Sequence, residues 1–134
     1  MSVEYVIDGS RITSLEDLYD EITRVLVPHH FWGRNLDALN DILRGGFGTP
    51  DEGFTIRWSH SAVSREALGY PAAVKKLEHM LERCHPANRE SVRQRLAAAR
   101  DGTGPTLFDW IVEIIKIHCP GGSEAEDNVL LILD

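Results

Sequence analysis

Two aspartates in a short helical pattern offer the clearest chemistry in this sequence. Asp37 and Asp41 are four residues apart and share one helix face, while Leu36, Leu39 and Leu43 form another. Such a pair can hold a cation, exchange a proton with a substrate or bind a basic group of a partner. The helix dipole favours Asp37 in the first turn, but helical stability does not explain Asp41 in mid-helix. Because local conflict often marks function, Asp41 is a candidate binding residue.

The rest of the sequence gives little support for catalysis. His29 and His30 are adjacent, but no third metal ligand lies at a recognisable spacing. The glycine-rich segment 45–48 follows a helix, whereas phosphate-binding loops follow a strand and open a helix. The GxSxG pattern of acyl-transfer enzymes is absent from the sequence. We therefore expect neither an enzyme nor a metal or other cofactor.

The elements that carry the acidic pair can be predicted from periodicity and turn residues. A β-rich run at 4–8 ends in a turn, and Ser14 is a good N-cap for a helix, with Asp17 placed close to a capping box. A second strand is predicted at 54–58. The apolar run at 129–133 is typical of a strand buried on both faces. Helical patterns are predicted at 15–26, 36–43 (capped by Asn35), 61–68, 71–100 with a break near 84–87, and 106–117.

The order strand, helices, strand, helices, strand predicts an α/β fold with a small parallel sheet. We expect one domain over residues 1–134, with a helical insertion at about 69–104. The insertion is basic, with arginines at positions 89, 93, 95 and 100. Two interpretations of these arginines stay open, a solvated helix face and a second contact surface.

Charge is unevenly distributed along the 134 residues, whose net charge is −7. Residues 1–60 hold ten acids and five bases, and residues 105–134 hold six acids and one base. The middle block, 61–104, holds five acids and eight bases. Acidic flanks disfavour binding to nucleic acid and favour binding to a basic protein. The same acidity is also compatible with a role in solubility alone.

Features of membrane or exported proteins are missing from the sequence. No apolar run reaches the roughly 18 residues of a membrane helix, and the first ten residues, MSVEYVIDGS, lack the pattern of a signal peptide. Cys84 and Cys119 lie in no CxxC pair and at no metal-ligand spacing from a histidine. We therefore expect a cytoplasmic protein with idle thiols.

The segment around the two aspartates matches a known signature. Phe31-Trp32-Gly33-x-Asn35-Leu36-Asp37-Ala38-Leu39-x-Asp41 resembles that of the barstar family, an aromatic pair and glycine followed by N-L-D-A-L and a second aspartate. Residues 5–9 and 54–58 look like the first two strands of that family. The helix containing Trp110 and the run at 129–133 look like its last helix and strand. The resemblance covers about two thirds of the chain.

The resemblance implies a three-stranded parallel sheet packed with helices, in agreement with the element order. It also implies inhibition of a basic, extracellular-type ribonuclease or related toxin, as an immunity protein inside the producing cell. Family members insert the acidic helix and the preceding loop into the enzyme's active site. Asp41 then corresponds to the central anchor, placed where the RNA phosphate normally lies, and Asp37 supports it.

Further candidate partner-binding residues follow from the same resemblance. Phe31 stands where the family usually has tyrosine, and Asn40 stands where barstar has a tryptophan. These departures indicate a different target or weaker binding to the familiar one. Arg34 and Arg44, each three residues from one aspartate, are expected to reduce the repulsion between the acids. The full candidate set is Phe31, Trp32, Gly33, Asn35, Asp37, Asn40, Asp41, Arg44 and, on the last helix, Glu113.

Two other functions stay open at this point. An interaction module would use the same acidic face to bind another basic protein without inhibiting it. An enzyme would use Asp37 and Asp41 as a metal or acid–base pair, which titration with magnesium or zinc would reveal.

Overall fold

A computed structural model describes residues 3–46 and 48–134; Phe47, within the glycine-rich segment, lies outside the described residues. Three strands and six helices are found in these ranges. They are β1 (Glu4–Asp8), α1 (Leu15–Val25), α2 (Leu36–Arg44), β2 (Thr55–Ser59), α3 (Ser61–Ala67), α4 (Tyr70–Arg83), α5 (Arg89–Arg100), α6 (Leu107–Ile117) and β3 (Leu130–Leu133). The predicted α/β order is confirmed, and the element bounds agree with the sequence pattern to within about two residues.

The strands form one parallel sheet in the order β1-β2-β3. In the register, Ile7 is level with Trp58, which is level with Leu133. Trp58 is fully buried on the central strand, and its ring centroid lies 5.0 Å from that of Phe108 on α6. The core therefore lies between the sheet and the helices, and α6 packs against both β3 and α2.

The final strand differs from its prediction. We expected β3 to be buried on both faces, but Leu130 is 46% exposed and Leu133 is also exposed. A three-stranded sheet has one interior strand, which here is β2, so β3 is left at an edge. An apolar run is typical of a buried strand but does not report the strand's position in the sheet.

Helix α1 begins as predicted, at an N-cap formed by Ser14. The Ser14 hydroxyl accepts a hydrogen bond from the Asp17 amide at 3.1 Å. The Asp17 carboxylate, however, bonds Thr13 instead of Ser14, accepting from its amide at 3.0 Å and its hydroxyl at 2.7 Å. The pattern therefore marked the start of the helix correctly, but Thr13 replaces Ser14 in the second bond of the expected box. These bonds hold the pKa of Asp17 below its ordinary value.

A buried carboxylate ties α1 to the end of β1. Glu21 accepts hydrogen bonds from Arg24 at 2.7 and 2.9 Å and from the Asp8 amide at 2.8 Å. Only 4% of its side chain is exposed. The bonds from Arg24 are the main cause that holds the pKa of Glu21 below its ordinary value, and the Asp8 amide contributes. This contact fixes α1, the helix on which the loop before α2 packs.

Helices α4 and α5 pack against each other, in the region where the sequence predicts an insertion. Their buried residues are Ala73, Leu77, Val92, Leu96 and Ala99. The Arg95 guanidinium lies 4.4 Å from the ring centroid of Trp110, and Arg100 donates to Glu78 at 3.0 Å. Arg93 lies 4.0 Å from Glu90, so three of the four arginines make contacts within the domain. A second contact surface stays a prediction for all four, since each of them lies exposed.

Both cysteines are free thiols. Burial raises the pKa of the Cys119 thiol. Among the helices of the described ranges, none combines the length and the apolar character that a membrane crossing needs.

Candidate protein-binding site

Residues at its two ends fix where the acidic helix α2 begins and ends. The Asn35 side chain caps its first turn, accepting from the Ala38 amide at 2.7 Å. The helix ends at Gly45, whose φ of 87° is unfavourable for residues with a side chain. A Cβ at Gly45 would also meet the Pro50 carbonyl oxygen at 2.5 Å. One face of the helix is buried, through Leu36, Leu39, Ile42 and Leu43.

The opposite face of α2 carries the two aspartates. Asp37 and Asp41 are both exposed, and 66% of the Asp41 side chain is accessible. Arg44 donates to Asp41 at 2.9 Å and to Glu124 at 3.2 Å. Hydrogen bonding to Glu124, followed by the charge of that group, raises the pKa of Arg44. The structure confirms that the aspartates share an exposed stripe and that Arg44 neutralises one of them.

The spacing indicated that Arg34 pairs with Asp37, but the structure shows no such pair. Arg34 donates to Asp20 at 2.7 Å and lies 3.9 Å from Glu16, both on or beside the exposed side of α1. The reason is that Arg34 precedes the N-cap and has a φ of 52°, so helical spacing does not apply to it. Asp37 is therefore left without the neighbour that was expected to compensate its charge.

The loop before α2 presents one aromatic side chain and buries the other. Phe31 is 93% exposed, whereas Trp32 is 4% exposed. The Trp32 indole N–H donates to the Thr23 hydroxyl at 2.8 Å, and its ring meets Tyr19 edge-on with centroids 5.6 Å apart. Burial raises the pKa of Tyr19 to about 12, with contributions from nearby acids. Trp32 thus anchors the loop on α1 and leaves Phe31 outside.

Gly33 and Asn35 complete the approach to the helix. A Cβ at Gly33 would lie 3.1 Å from both the Ala38 Cβ and the Asn35 amide nitrogen. This spacing is tighter than ordinary packing, so glycine lets the loop lie directly against the first turn of α2. Both residues are exposed, and their contacts shape the backbone between the exposed phenylalanine and the acidic stripe.

Asn40 points inward from α2, toward α6. Its side-chain oxygen lies 2.9 Å from Nε2 of His118, whose side chain is completely buried. Nδ1 of His118 lies 2.6 Å from a carboxylate oxygen of Asp127. The network was not predicted from the sequence. The only local signal was a histidine at the end of an apolar helix, which does not identify a partner 78 residues away.

Glu113 lies on α6 and is exposed. It lines an open groove beside the edge strand, together with Lys116, Leu130 and Ile132. The structure therefore brings Asp37, Asp41 and Arg44 together on α2, and places Phe31 on the adjoining loop. Glu113 belongs to another helix, one that packs against α2.

One group of described residues has the composition of a metal site. Ligand atoms of His118, Glu124 and Asp127 all lie within 4.8 Å of one another. Each of these groups already has a protein partner, since Arg44 bonds Glu124 and both ring nitrogens of His118 are engaged. The group is described best as a hydrogen-bond network that joins α6 to α2.

The family model of Barstar (barnase inhibitor) matches residues 3–101. The chain belongs to the barstar family. The match contains β1, the loop, α2 and β2, and therefore every candidate residue except Glu113. It also runs through α4 and α5 and ends before α6, so the insertion stays a prediction. No curated protein matches the chain significantly.

Proposed function

We propose that this barstar-family chain inhibits a basic ribonuclease by inserting α2 and the preceding loop into the enzyme's active site. The observation that carries the proposal is the exposed acidic stripe of Asp37 and Asp41 on a helix held at both ends. The family is named for an inhibitor of this kind. Such a protein acts by occupying a site and needs no catalytic group of its own.

The chemistry of inhibition is phosphate mimicry. A ribonuclease binds the RNA phosphate through cationic side chains, and a carboxylate can replace that phosphate with charge-assisted hydrogen bonds. We assign the central anchor to Asp41 and a supporting position to Asp37. Arg44 holds the Asp41 side chain in one orientation before the partner arrives, which lowers the ordering cost of binding.

The other candidate residues divide into contacts and supports. Phe31 is proposed as a direct aromatic contact because almost all of its surface is exposed. Trp32, Gly33 and Asn35 are proposed to hold the loop and the first turn of α2. Glu113 is proposed as a peripheral acidic contact on α6.

Electrostatic attraction supports the choice of a basic partner. The net charge is −7, and the acids are concentrated in the segments that carry α2 and the chain end. Long-range attraction of this kind speeds association with a basic enzyme and weakens as salt is added. We propose a cytoplasmic, immunity-type role, in which the producing cell is protected from a ribonuclease destined for export.

Inhibition assays with barnase and a panel of small basic ribonucleases test this proposal. The test variant is Asp37→Asn/Asp41→Asn, which removes both charges of the acidic stripe. The matched control is Glu90→Gln/Asp101→Asn, which removes the same charge from exposed acids on α5 and the loop after it. We expect the wild type and the control to inhibit the enzyme, and the test variant to lose inhibition.

The outcomes separate the alternatives. Equal weakening in both double variants would mean that net charge, and not the acidic helix, determines binding. Binding of a ribonuclease without inhibition would favour a non-inhibitory interaction module. Absence of binding to every enzyme of the panel would contradict the proposal.

A further inference from the structure

A completely buried histidine lies behind the acidic helix. His118 follows the last turn of α6, and none of its side chain is exposed. Nδ1 lies 2.6 Å from Asp127 and Nε2 lies 2.9 Å from the side-chain oxygen of Asn40. The Asp127 carboxylate accepts at Nδ1, and the Asn40 side-chain amide is the partner at Nε2, so both ring nitrogens are engaged. A buried ring with two short contacts resists displacement, because loss of either partner leaves a ring nitrogen unpaired.

The network reaches the acidic stripe by two routes. The first runs through Asn40, which lies on α2 between the two aspartates and one residue before Asp41. The second runs through the segment after α6, where Glu124 bonds Arg44, and Arg44 bonds Asp41.

The same segment is itself fixed to α6. The Glu124 amide donates to the Ile117 carbonyl at 2.9 Å, and the Val129 amide donates to the His118 carbonyl at 3.0 Å. Asp127 lies between these two points, in a short turn spanning Ala125–Asp127. The segment cannot move away from α6 without breaking the contact between His118 and Asp127. Both routes therefore meet at one buried ring.

We propose that His118 and Asp127 are positioning residues for the acidic helix, acting through Asn40 and through the Glu124–Arg44 bridge. This inference rests on the proposed function, because the surface that these residues position is the proposed partner-binding face of α2. The inference also gives Asn40 a different role from the partner contact expected from sequence. Its side chain faces inward, so it acts through α2 instead of touching the partner. Two of the residues that act in this way, His118 and Asp127, lie beyond the end of the family match at residue 101.

The test combines local dynamics with binding. Amide hydrogen exchange is measured for α2 and, as an internal reference, for α1, in wild type and in His118→Gln, Asn40→Ala and their double variant. The dissociation constant for barnase is measured on the same proteins. His79→Gln serves as the matched control, since His79 is an exposed histidine on α4.

We expect faster exchange in α2 and a dissociation constant raised by about tenfold in each single variant, the equivalent of one net hydrogen bond. The double variant should be little worse than His118→Gln alone, because that variant already breaks the contact that Asn40→Ala removes. His79→Gln should change neither quantity.

Unchanged α2 exchange in His118→Gln, or fully additive effects in the double variant, would overturn the inference. If His118→Gln does not fold, Asn40→Ala decides, because it leaves the histidine–aspartate pair in place. If the wild type binds no ribonuclease, the proposed function fails. The exchange measurement still shows whether His118 holds α2, so the two failures are distinguishable.

Discussion

Replacing Asp41 by alanine should separate folding from binding. Asp41 lies in mid-helix with most of its side chain exposed, and its ion pair with Arg44 is also exposed. Such a pair contributes little to stability. Alanine is the better helix former by roughly 0.5 kcal/mol, and removing the charge relieves repulsion from Asp37 by a few tenths of a kcal/mol. We therefore expect the free energy of unfolding to stay the same or to rise by up to about 0.5 kcal/mol.

Binding should respond in the opposite direction. In the proposed complex, Asp41 is buried against cationic groups of the enzyme, and its removal leaves those groups unpaired. Truncating one partner of a buried, hydrogen-bonded charge pair costs about 2–5 kcal/mol. At about 1.4 kcal/mol for each factor of ten, the dissociation constant should rise by roughly 30-fold to several thousand-fold.

The assay is titration calorimetry with barnase, or with whichever enzyme of the panel is inhibited, together with thermal unfolding of the free protein. Asp101→Ala is the control, because it removes an exposed acid from the loop after α5. A weakening of less than about threefold in Asp41→Ala, with normal folding, would falsify the assignment of Asp41 as the anchor. A large loss of stability would instead show that the helix depends on the Asp41–Arg44 pair.

Three further predictions follow from the same contacts. Glu21→Gln should destabilise the fold by about 1–2 kcal/mol. This cost is smaller than for a fully buried ion pair, because Arg24 is half exposed and water screens its charge. Since folding lowers the pKa of Glu21, this contribution is present above the ordinary glutamate pKa and is lost as pH falls through the lower folded value. Urea unfolding across acidic pH should therefore show the difference between wild type and variant shrinking as pH falls, and a constant difference would refute this explanation. Asn35→Ala should cost about 1 kcal/mol through loss of the helix cap, and Asn35→Asp should restore it in thermal unfolding. Phe31→Ala should leave stability within about 0.5 kcal/mol of wild type but weaken ribonuclease binding, whereas Trp32→Ala should lose about 3–5 kcal/mol of stability. Equal unfolding temperatures for these two variants would contradict the different burial of the two rings.

The local features of the site could be predicted from sequence because they depend on neighbouring residues. The Asn35 cap, the exposed stripe and the stop at Gly45 all arise within one or two helical turns. Helical periodicity alone therefore places Asp37 and Asp41 on the same face. The parallel sheet was predictable for a related reason, because strands separated by helices require crossover connections.

Only tertiary packing decided which of the adjacent aromatic residues is exposed. Phe31 and Trp32 have similar apolar character, and the choice depends on the hydrogen bond that Trp32 makes to α1. The partner of Arg34 was mispredicted for the same reason, since its backbone leaves helical geometry before α2 begins. Neither outcome has a signal in local spacing.

The support behind the acidic helix depends on contacts between residues that are remote in sequence. Asn40 and His118 are 78 residues apart, and Arg44 and Glu124 are 80 apart. No periodicity links such positions, because their meeting depends on how α6 packs against α2 and on where the chain turns after it. The sequence by itself thus determined the acidic helix and its charge, whereas the tertiary structure decided what holds that helix in place.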